Sequence, residues 1–356
     1  MPMLFEPLTL RGLTLRNRLM AAPMCQYSAV DGLPQPWHLV HLGGLARGGI
    51  GLVMTEATAV VPEGRISPED TGIWSQRHVD AWRPIVDFLH DQGAAAAMQL
   101  AHAGQKASTY RPWSPSQGSV PVAEGGWPTV GPSSQGYPGL AAPRALRTDE
   151  LPGIVESFAA AARRALAAGF DTVEVHGAHG YLLHEFLSPL TNDRTDEYGG
   201  DLAGRARLLL EVAQAVRAVW PEDLPLFVRI SATDWADGGH DLDASVQVST
   251  WLREAGVDLI DVSSGGVSAA QRITARPGYQ VPLAGRIRHE AGIATGAVGL
   301  ITDAAQAEAV LTEGAADLVI LGRALLRDPQ WALRAAHDLG VTVPWPPPMQ
   351  RAARWP

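Results

Sequence analysis

The sequence predicts a single (β/α)8 barrel, and three observations carry that prediction. Eight short apolar runs recur along the 356 residues, separated by amphipathic stretches. The separations are too long for hairpin turns, so successive strands run parallel with a crossover between them. The runs are apolar at nearly every position instead of at alternate ones, as strands covered on both faces are. Eight units is the number that closes a barrel, which favours closure over an open doubly wound sheet.

Taken in order, the runs are 18–23 (RLMAAP), 51–56 (GLVMTE), 94–100 (AAAAMQL), 171–176 (DTVEVH), 225–231 (PLFVRIS), 258–263 (DLIDVSS), 294–299 (ATGAVGL) and 317–323 (DLVILGR). Between the second and third, residues 75–92 space Val79, Trp82, Ile85, Val86 and Leu89 as one helical face. Residues 148–168 open with Thr148 and Glu150 and give way to the fourth run after Gly169. Residues 205–219, 243–255 and 303–313 repeat the pattern, and AGVDLI and EGAADLVI read as helix-to-strand junctions. A barrel needs about 250 residues. The surplus falls in loop 101–147, segment 177–203 and the C-terminus. The expected organisation is therefore a barrel over 1–340 and an extended, Pro-rich tail over 341–356, with no second domain. Loop 101–147, dense in Pro, Ser and Gly, is expected to be a lid or partly disordered.

Composition narrows the function. At 46% hydrophobic residues the chain can bury a large core. A formal net charge of -9 argues against nucleic acid or an anionic membrane surface as partner, while leaving room for local arginine sites. The lone cysteine, Cys25, excludes an internal disulfide and a thiolate-held iron–sulfur cluster. No segment approaches the roughly 18 apolar residues that span a bilayer, and the first twenty residues do not read as a signal peptide. A soluble cytoplasmic protein is expected.

In such a barrel the chemistry gathers where the strands end. The first run leads into Pro23, Met24, Cys25 and Tyr27, the second into Glu56 and Ala57, the third into Gln99, His102 and Lys106. The fifth and sixth offer Arg229, Ser263, Ser264 and Gly265. After the seventh and eighth come Gly299, Gly322 and Arg323. Glycine backbone N–H groups, a helix start and a guanidinium there make the usual phosphate site of barrel enzymes, although tight turns alone also explain the glycines. The fourth run ends in VEVHGAHGYLLHEFLSP, with His176 and His179 three apart and Tyr181 close behind. A metal would need further ligands, and Gly177 and Gly180 argue for a loop instead of a helical face. The alternatives are plain packing or a pair of N–H donors.

The stretches LFEPLTLRGLTLRNRLMAAPMCQYSA, GFDTVEVHGAHGYLLHEFLSPLTNDRTDEYGG, VRIS and AVGLITD…ADLVILGRALLRDP resemble the Old Yellow Enzyme family of FMN-dependent ene-reductases, which share a (β/α)8 TIM barrel. PMCQY is similar to the thermophilic-like bacterial class, whose members are called NADPH dehydrogenases. The similarity spans about residues 3 to 339. The resemblance implies FMN as cofactor, NADPH or NADH as electron donor, and activated alkenes (enones or nitroalkenes) as substrates, reduced in a ping-pong scheme. It implies that His176 and His179 bind the substrate's oxygen and that Tyr181 is the proton donor. It places Pro23, Met24 and Cys25 along the flavin ring, Ala57 and Gln99 at its pyrimidine edge, and Arg229 near N1 and O2. Gly299, Gly322 and Arg323 hold the phosphate in this scheme, with Ser264 and Gly265 near the ribityl chain. Tyr27 contacts substrate, and Lys106 is either at the edge of the site or a solvated surface lysine. Asn192, Arg194 and Asp196 order the loop after the fourth strand.

The resemblance also implies a homodimer or dimer of dimers in which a C-terminal arginine enters the neighbouring protomer's site. Here the family spacing is disturbed: Gln350 is followed by Arg351, and Ala353 stands at the usual arginine position, so Arg351 and Arg354 are both candidates. The rival readings are a dienoyl-CoA reductase, a flavin-free phosphate-site barrel such as an isomerase or aldolase, and a non-catalytic binding barrel. A single cysteine speaks against the first, and the full set of polar strand ends against the last. No G-x-G-x-x-G fingerprint follows a strand, in keeping with a nicotinamide that binds transiently.

Overall fold

A computed structural model describes residues 1–353. Eight parallel strands close into a barrel: β1 (Leu19–Ala21), β2 (Leu52–Ala59), β3 (Ala95–Ala101), β4 (Thr172–Gly177), β5 (Leu226–Ser231), β6 (Leu259–Ser263), β7 (Ala294–Ala297) and β8 (Leu318–Leu321). Neighbours in sequence are neighbours in space, and β8 pairs with β1 to complete the ring, Val319 standing opposite Leu19. Every run foreseen as a strand is one.

A helix follows each strand: α1 (Pro36–Arg47), α2 (Gln76–Asp91), α3 (Leu151–Ala168), α4 (Leu202–Val219), α5 (Leu242–Glu254), α6 (Val281–Ala291), α7 (Ala304–Thr312) and α8 (Trp331–Asp338). The helices foreseen from periodicity correspond to α2, α3, α4, α5 and α7. Trp82 of α2, Phe158 of α3 and Phe170 fill the layer between helices and strands. Inside the barrel, Met20, Leu52, Met54, Phe227, Leu259 and Ile320 form a dry lower layer. Leu15, from an N-terminal hairpin (Leu8–Leu10 with Leu13–Leu15), belongs to the same cluster. Apolar filling at that end leaves the opposite end, where the strands finish, for polar side chains. No helix of the described residues is long and apolar enough to cross a membrane.

Loop 101–147 is ordered. Val130–Gly131 pairs with Arg144–Ala145, and the Val120 N–H donates to the Ser108 carbonyl at 2.7 Å. Asn192 Nδ2 donates to the carbonyls of Phe186 (2.6 Å) and Tyr198 (2.8 Å), and Arg194 pairs with Asp196, so these residues do tie down the segment after β4.

The tail departs from expectation. The chain stays extended only as far as Pro346 (φ -53°, ψ 134°), and Pro347–Ala352 coils into a 3-10 turn. Proline's fixed φ suits a first helical turn, which needs no N–H from it. The tail also runs along the N-terminal end of the barrel. Val341, Thr342 and Val343 face Arg16, Asn17 and Gly49, and Trp345 and Pro346 lie beside Gln92 and Gly93, all of which precede strands.

Candidate active site

The end of β4 is folded into an unusual shape. His179 sits at φ 62°, a left-handed conformation that costs a non-glycine residue about 1 kcal/mol. Three contacts keep it there. Its N–H donates to Ser231 Oγ at 3.0 Å, its Nε2 lies 2.7 Å from Ser263 Oγ, and its carbonyl accepts from Lys106 Nζ at 3.0 Å. Gly180 and Gly266 let the β4 and β6 loops meet: a Cβ on Gly266 would stand 2.6 Å from His179 Cα, and one on Gly180 would stand 2.5 Å from the Gly266 carbonyl oxygen. Strain of this kind concentrates at functional sites.

The result is three aromatic rings in edge-to-face contact. His176 and His179 have centroids 5.1 Å apart, and His176 and Tyr181 5.0 Å apart. His176 Nδ1 accepts the Ala178 N–H at 3.3 Å, so its neutral ring carries the proton on Nε2. Burial, reinforced by the Arg229 charge, pushes both imidazoles well below the ordinary histidine range. Burial pushes the Tyr181 phenol well above 10. At neutral pH the cluster is two uncharged N–H donors beside a protonated hydroxyl.

Lys106 is not a solvated surface lysine. Its ammonium donates to the carbonyls of both His179 and Gly266 and rests 4.3 Å from the Tyr137 ring centroid. Burial lowers its pKa to about 8, with the Glu185 charge opposing the shift. Glu185 is fully buried beneath the turn at Gly104–Lys106, where its Oε1 accepts the Gln105 N–H at 2.9 Å. The sequence reading missed a second anchor, His184. Its Nδ1 accepts the Gly180 N–H (2.9 Å), and its Nε2 faces Asp234 Oδ1 (2.9 Å), which Ser188 also holds through Oδ2 (2.6 Å). The one visible signal was a histidine four residues beyond Gly180, next to Glu185 in a short turn whose other residues are apolar.

A cavity of about 310 Å³ opens where β6, β7 and β8 end. His179, Arg229, Ser264, Gly299, Gly322 and Arg323 all line it. Tyr279, Gln280 and Arg327 line it too and were not anticipated. Gly299 has φ 125°, and a Cβ there would press on Gln280 Nε2 at 3.0 Å. Ser264 Oγ donates to Gln280 Oε1 (2.5 Å), and Gln280 Nε2 donates to the Val298 carbonyl (3.1 Å). Guanidiniums, hydroxyls and bare backbone in one concave wall suit a phosphorylated polar chain. Gly265 stands apart from this wall, among the described residues: its N–H donates to Thr233 and its carbonyl accepts from Ser231 Oγ, making a turn.

The other half of the site is apolar. Cys25, Tyr27, Ala57 and Tyr181 pack with Ile66, Ala101 and Trp127 at the ends of β1, β2 and β3. The register of β2 shifts between Met54 and Ala57, and the buried Glu56 in this bulge accepts the Gln26 N–H (2.9 Å) and faces His38 of α1 (3.0 Å). This fixes the Met24–Tyr27 loop, in which Tyr27 also has positive φ (47°). Met24 lies near Gly322, and Pro23 directly precedes it. Gln99 is lower in the barrel, with its amide donated to Glu174 at 2.7 Å. A cluster of apolar side chains at the ends of β1–β3 and a cationic polar wall that includes Arg229 together suit a flavin mononucleotide. Burial and the charges of Asp70 and Glu56 hold the Cys25 thiol well above its ordinary range. It is a neutral neighbour, not a nucleophile. Cys25→Ala is expected to shift the midpoint potential of bound FMN without abolishing turnover; an unchanged potential and unchanged substrate affinity would remove the tuning role.

Residues 3–341 match the family model described as NADH:flavin oxidoreductase / NADH oxidase. The chain belongs to that family. This NADH:flavin oxidoreductase relative is 48% identical over 351 residues to an NADPH dehydrogenase of Halalkalibacterium halodurans, covering 98% of both chains. It is 44% identical over 351 residues to the NADPH dehydrogenase of Bacillus subtilis, with the same coverage. Among solved structures, morphinone reductase in complex with tetrahydroNAD superposes with a TM-score of 0.79 at 30% identity, over 98% of this chain and 93% of that one. An old yellow enzyme homologue from Zymomonas mobilis gives 0.80 at 30%, over 96% and 94%. FMN is thus the cofactor of this oxidoreductase, and a reduced nicotinamide is its electron donor.

Proposed function

We propose that the enzyme uses NADPH to reduce the C=C bond of α,β-unsaturated carbonyl or nitro compounds, in two half-reactions that share one site. The donor cluster carries the reading: His176, His179 and Tyr181, all uncharged, sit with rings about 5 Å apart at the junction of the two halves of the site. Bound FMN would supply the hydride chemistry that couples oxidation of NADPH to reduction of the alkene's β-carbon. The chain's own groups do the rest. One N–H from each histidine holds the carbonyl or nitro oxygen, where negative charge grows as hydride arrives, and neutral donors stabilise it without giving up a proton. The Tyr181 hydroxyl, kept protonated by burial, delivers a proton to the α-carbon. Lys106 and His184 hold the loop that carries these groups. Arg229 sets a fixed positive charge at the junction, and Gly299, Gly322 and Arg323 take the phosphate.

The test is anaerobic. NADPH should bleach the bound flavin, and 2-cyclohexenone should restore its absorbance. Bleaching with no reoxidation by any enone or nitroalkene would rule the alkene reading out.

The tail belongs to the same proposal. Arg351 is exposed in a turn at the N-terminal end of the barrel, the wrong end for its own site. The other candidate, Arg354, lies outside the described residues. A tail leaving from that end serves a neighbouring protomer, so the assembly is a homodimer or dimer of dimers. Deleting 350–356 is expected to raise the KM for alkene several-fold and reduce the sedimentation coefficient while FMN stays bound. Unchanged kinetics with unchanged sedimentation would show an idle tail.

A further inference from the structure

Below the donor cluster, the barrel interior contains more acid than base. Glu174 and Asp261 are both fully buried, and Arg229, 6% exposed, is the guanidinium between the strands that carry them. Register places Asp261 and His176 on either side of Arg229, and Gln99 and Phe227 on either side of Glu174. Arg229 Nε comes within 3.1 Å of Asp261 Oδ2, yet the approach is poorly aligned: Nε, both Asp261 oxygens and Glu174 Oε2 have no hydrogen-bond partner. Only Glu174 Oε1 is satisfied, by Gln99. One cation cannot neutralise two dry carboxylates, and buried groups left without bonds are costly.

We propose that Glu174 and Asp261 share a single proton at neutral pH and act as a proton-exchanging counter-charge to Arg229, so that the electron affinity of the cofactor is linked to the protonation of this pair. Burial raises both carboxyls, and the Asp261 charge raises Glu174 further, while Arg229 pulls both down and Gln99 also lowers Glu174. The other ionisable group flanking Arg229 in register, His176, is neutral and adds no charge at neutral pH. The exchange balances simply: a proton from solvent bonds to one carboxylate oxygen, and no other bond changes. Loss of that proton at higher pH leaves a second negative charge near Arg229 and would disfavour electrons on a flavin held by that guanidinium. By linkage, adding electrons to the ring favours proton uptake by the pair.

The inference rests on FMN lying over Arg229, so FMN content is measured first by absorbance and stoichiometry; a protein that holds no FMN refutes the functional reading rather than this one. With FMN bound, midpoint potentials of wild type, Glu174→Gln and Asp261→Asn are measured across the neutral and alkaline range. Wild type should show an extra fall of potential with rising pH that Glu174→Gln lacks, leaving the variant the stronger oxidant at alkaline pH. Parallel curves would overturn the proposal. Reduced-minus-oxidised infrared spectra of the wild type at alkaline pH, where the oxidised pair has lost its proton, give a reading that needs no variant: a protonated carboxyl band should gain intensity on reduction and shift in heavy water. A spectrum without such a band would also overturn it.

Discussion

Replacing His176 or His179 by alanine is expected to slow reoxidation of the reduced enzyme by an enone about 100-fold. Losing one donor to a developing oxyanion costs on the order of 3 kcal/mol. FMN content and the rate of reduction by NADPH should change little, because in this reading Gly299, Gly322 and Arg323, not the imidazoles, take the phosphate. The two variants differ in a useful way. His179→Ala keeps the backbone carbonyl that Lys106 grips, so that strap remains while the ring and its contact with Ser263 are lost. His176→Ala removes a ring that packs edge-on against both His179 and Tyr181, so proton delivery should suffer as well. Stopped-flow measurement of each half-reaction separates these effects. Equal slowing of both half-reactions would mean that the histidines shape the site without binding the oxygen.

Tyr181→Phe should slow the same half-reaction by about 100- to 10,000-fold, the usual worth of a general acid. Phenylalanine preserves the ring contact with His176 and the packing with Cys25, Tyr27 and Ala57, so what disappears is the proton alone. Nitroalkenes should be spared, because their anions persist long enough to be protonated by water. Monitoring enone and nitroalkene side by side decides the matter: a defect of equal size for both would point to misplaced substrate instead of a missing acid.

The parts of this molecule that were legible in the sequence are those that a local pattern encodes. Strands buried on both faces show as unbroken apolar runs, and α2 shows because it has one wet and one dry face. Helix α1 was illegible for a physical reason. Its Trp37 and Val40 are exposed although apolar, and Gly43 lies in its interior because the Phe88 ring packs there, 2.6 Å from where a Cβ would be. Neither residue type signals a helix. In the site, the histidine pair and Tyr181 were visible because glycines bracket them. What holds them was not. Lys106 is 73 residues from the carbonyl of His179 and 160 from that of Gly266, and Asp234 is 50 from His184. No window along the chain registers such contacts. The tail's prolines misled because stiffness alone does not tell an extended chain from a tight turn.

The strap formed by Lys106 sets where new substrate ranges can be explored. One ammonium joins the loop after β4 to the loop after β6, so an insertion or shape change near Gly266 is transmitted to the backbone of His179. Mutational libraries placed in that loop would mostly return inactive clones, whatever pocket they created. The exposed span 111–118 in the long loop after β3 carries no such tie to the donors and borders Tyr27 through Trp113, whose ring meets it edge-on at 5.6 Å. Diversity introduced there changes the approach to the site while leaving its chemistry in register, and that is the direction in which this scaffold is most readily evolved.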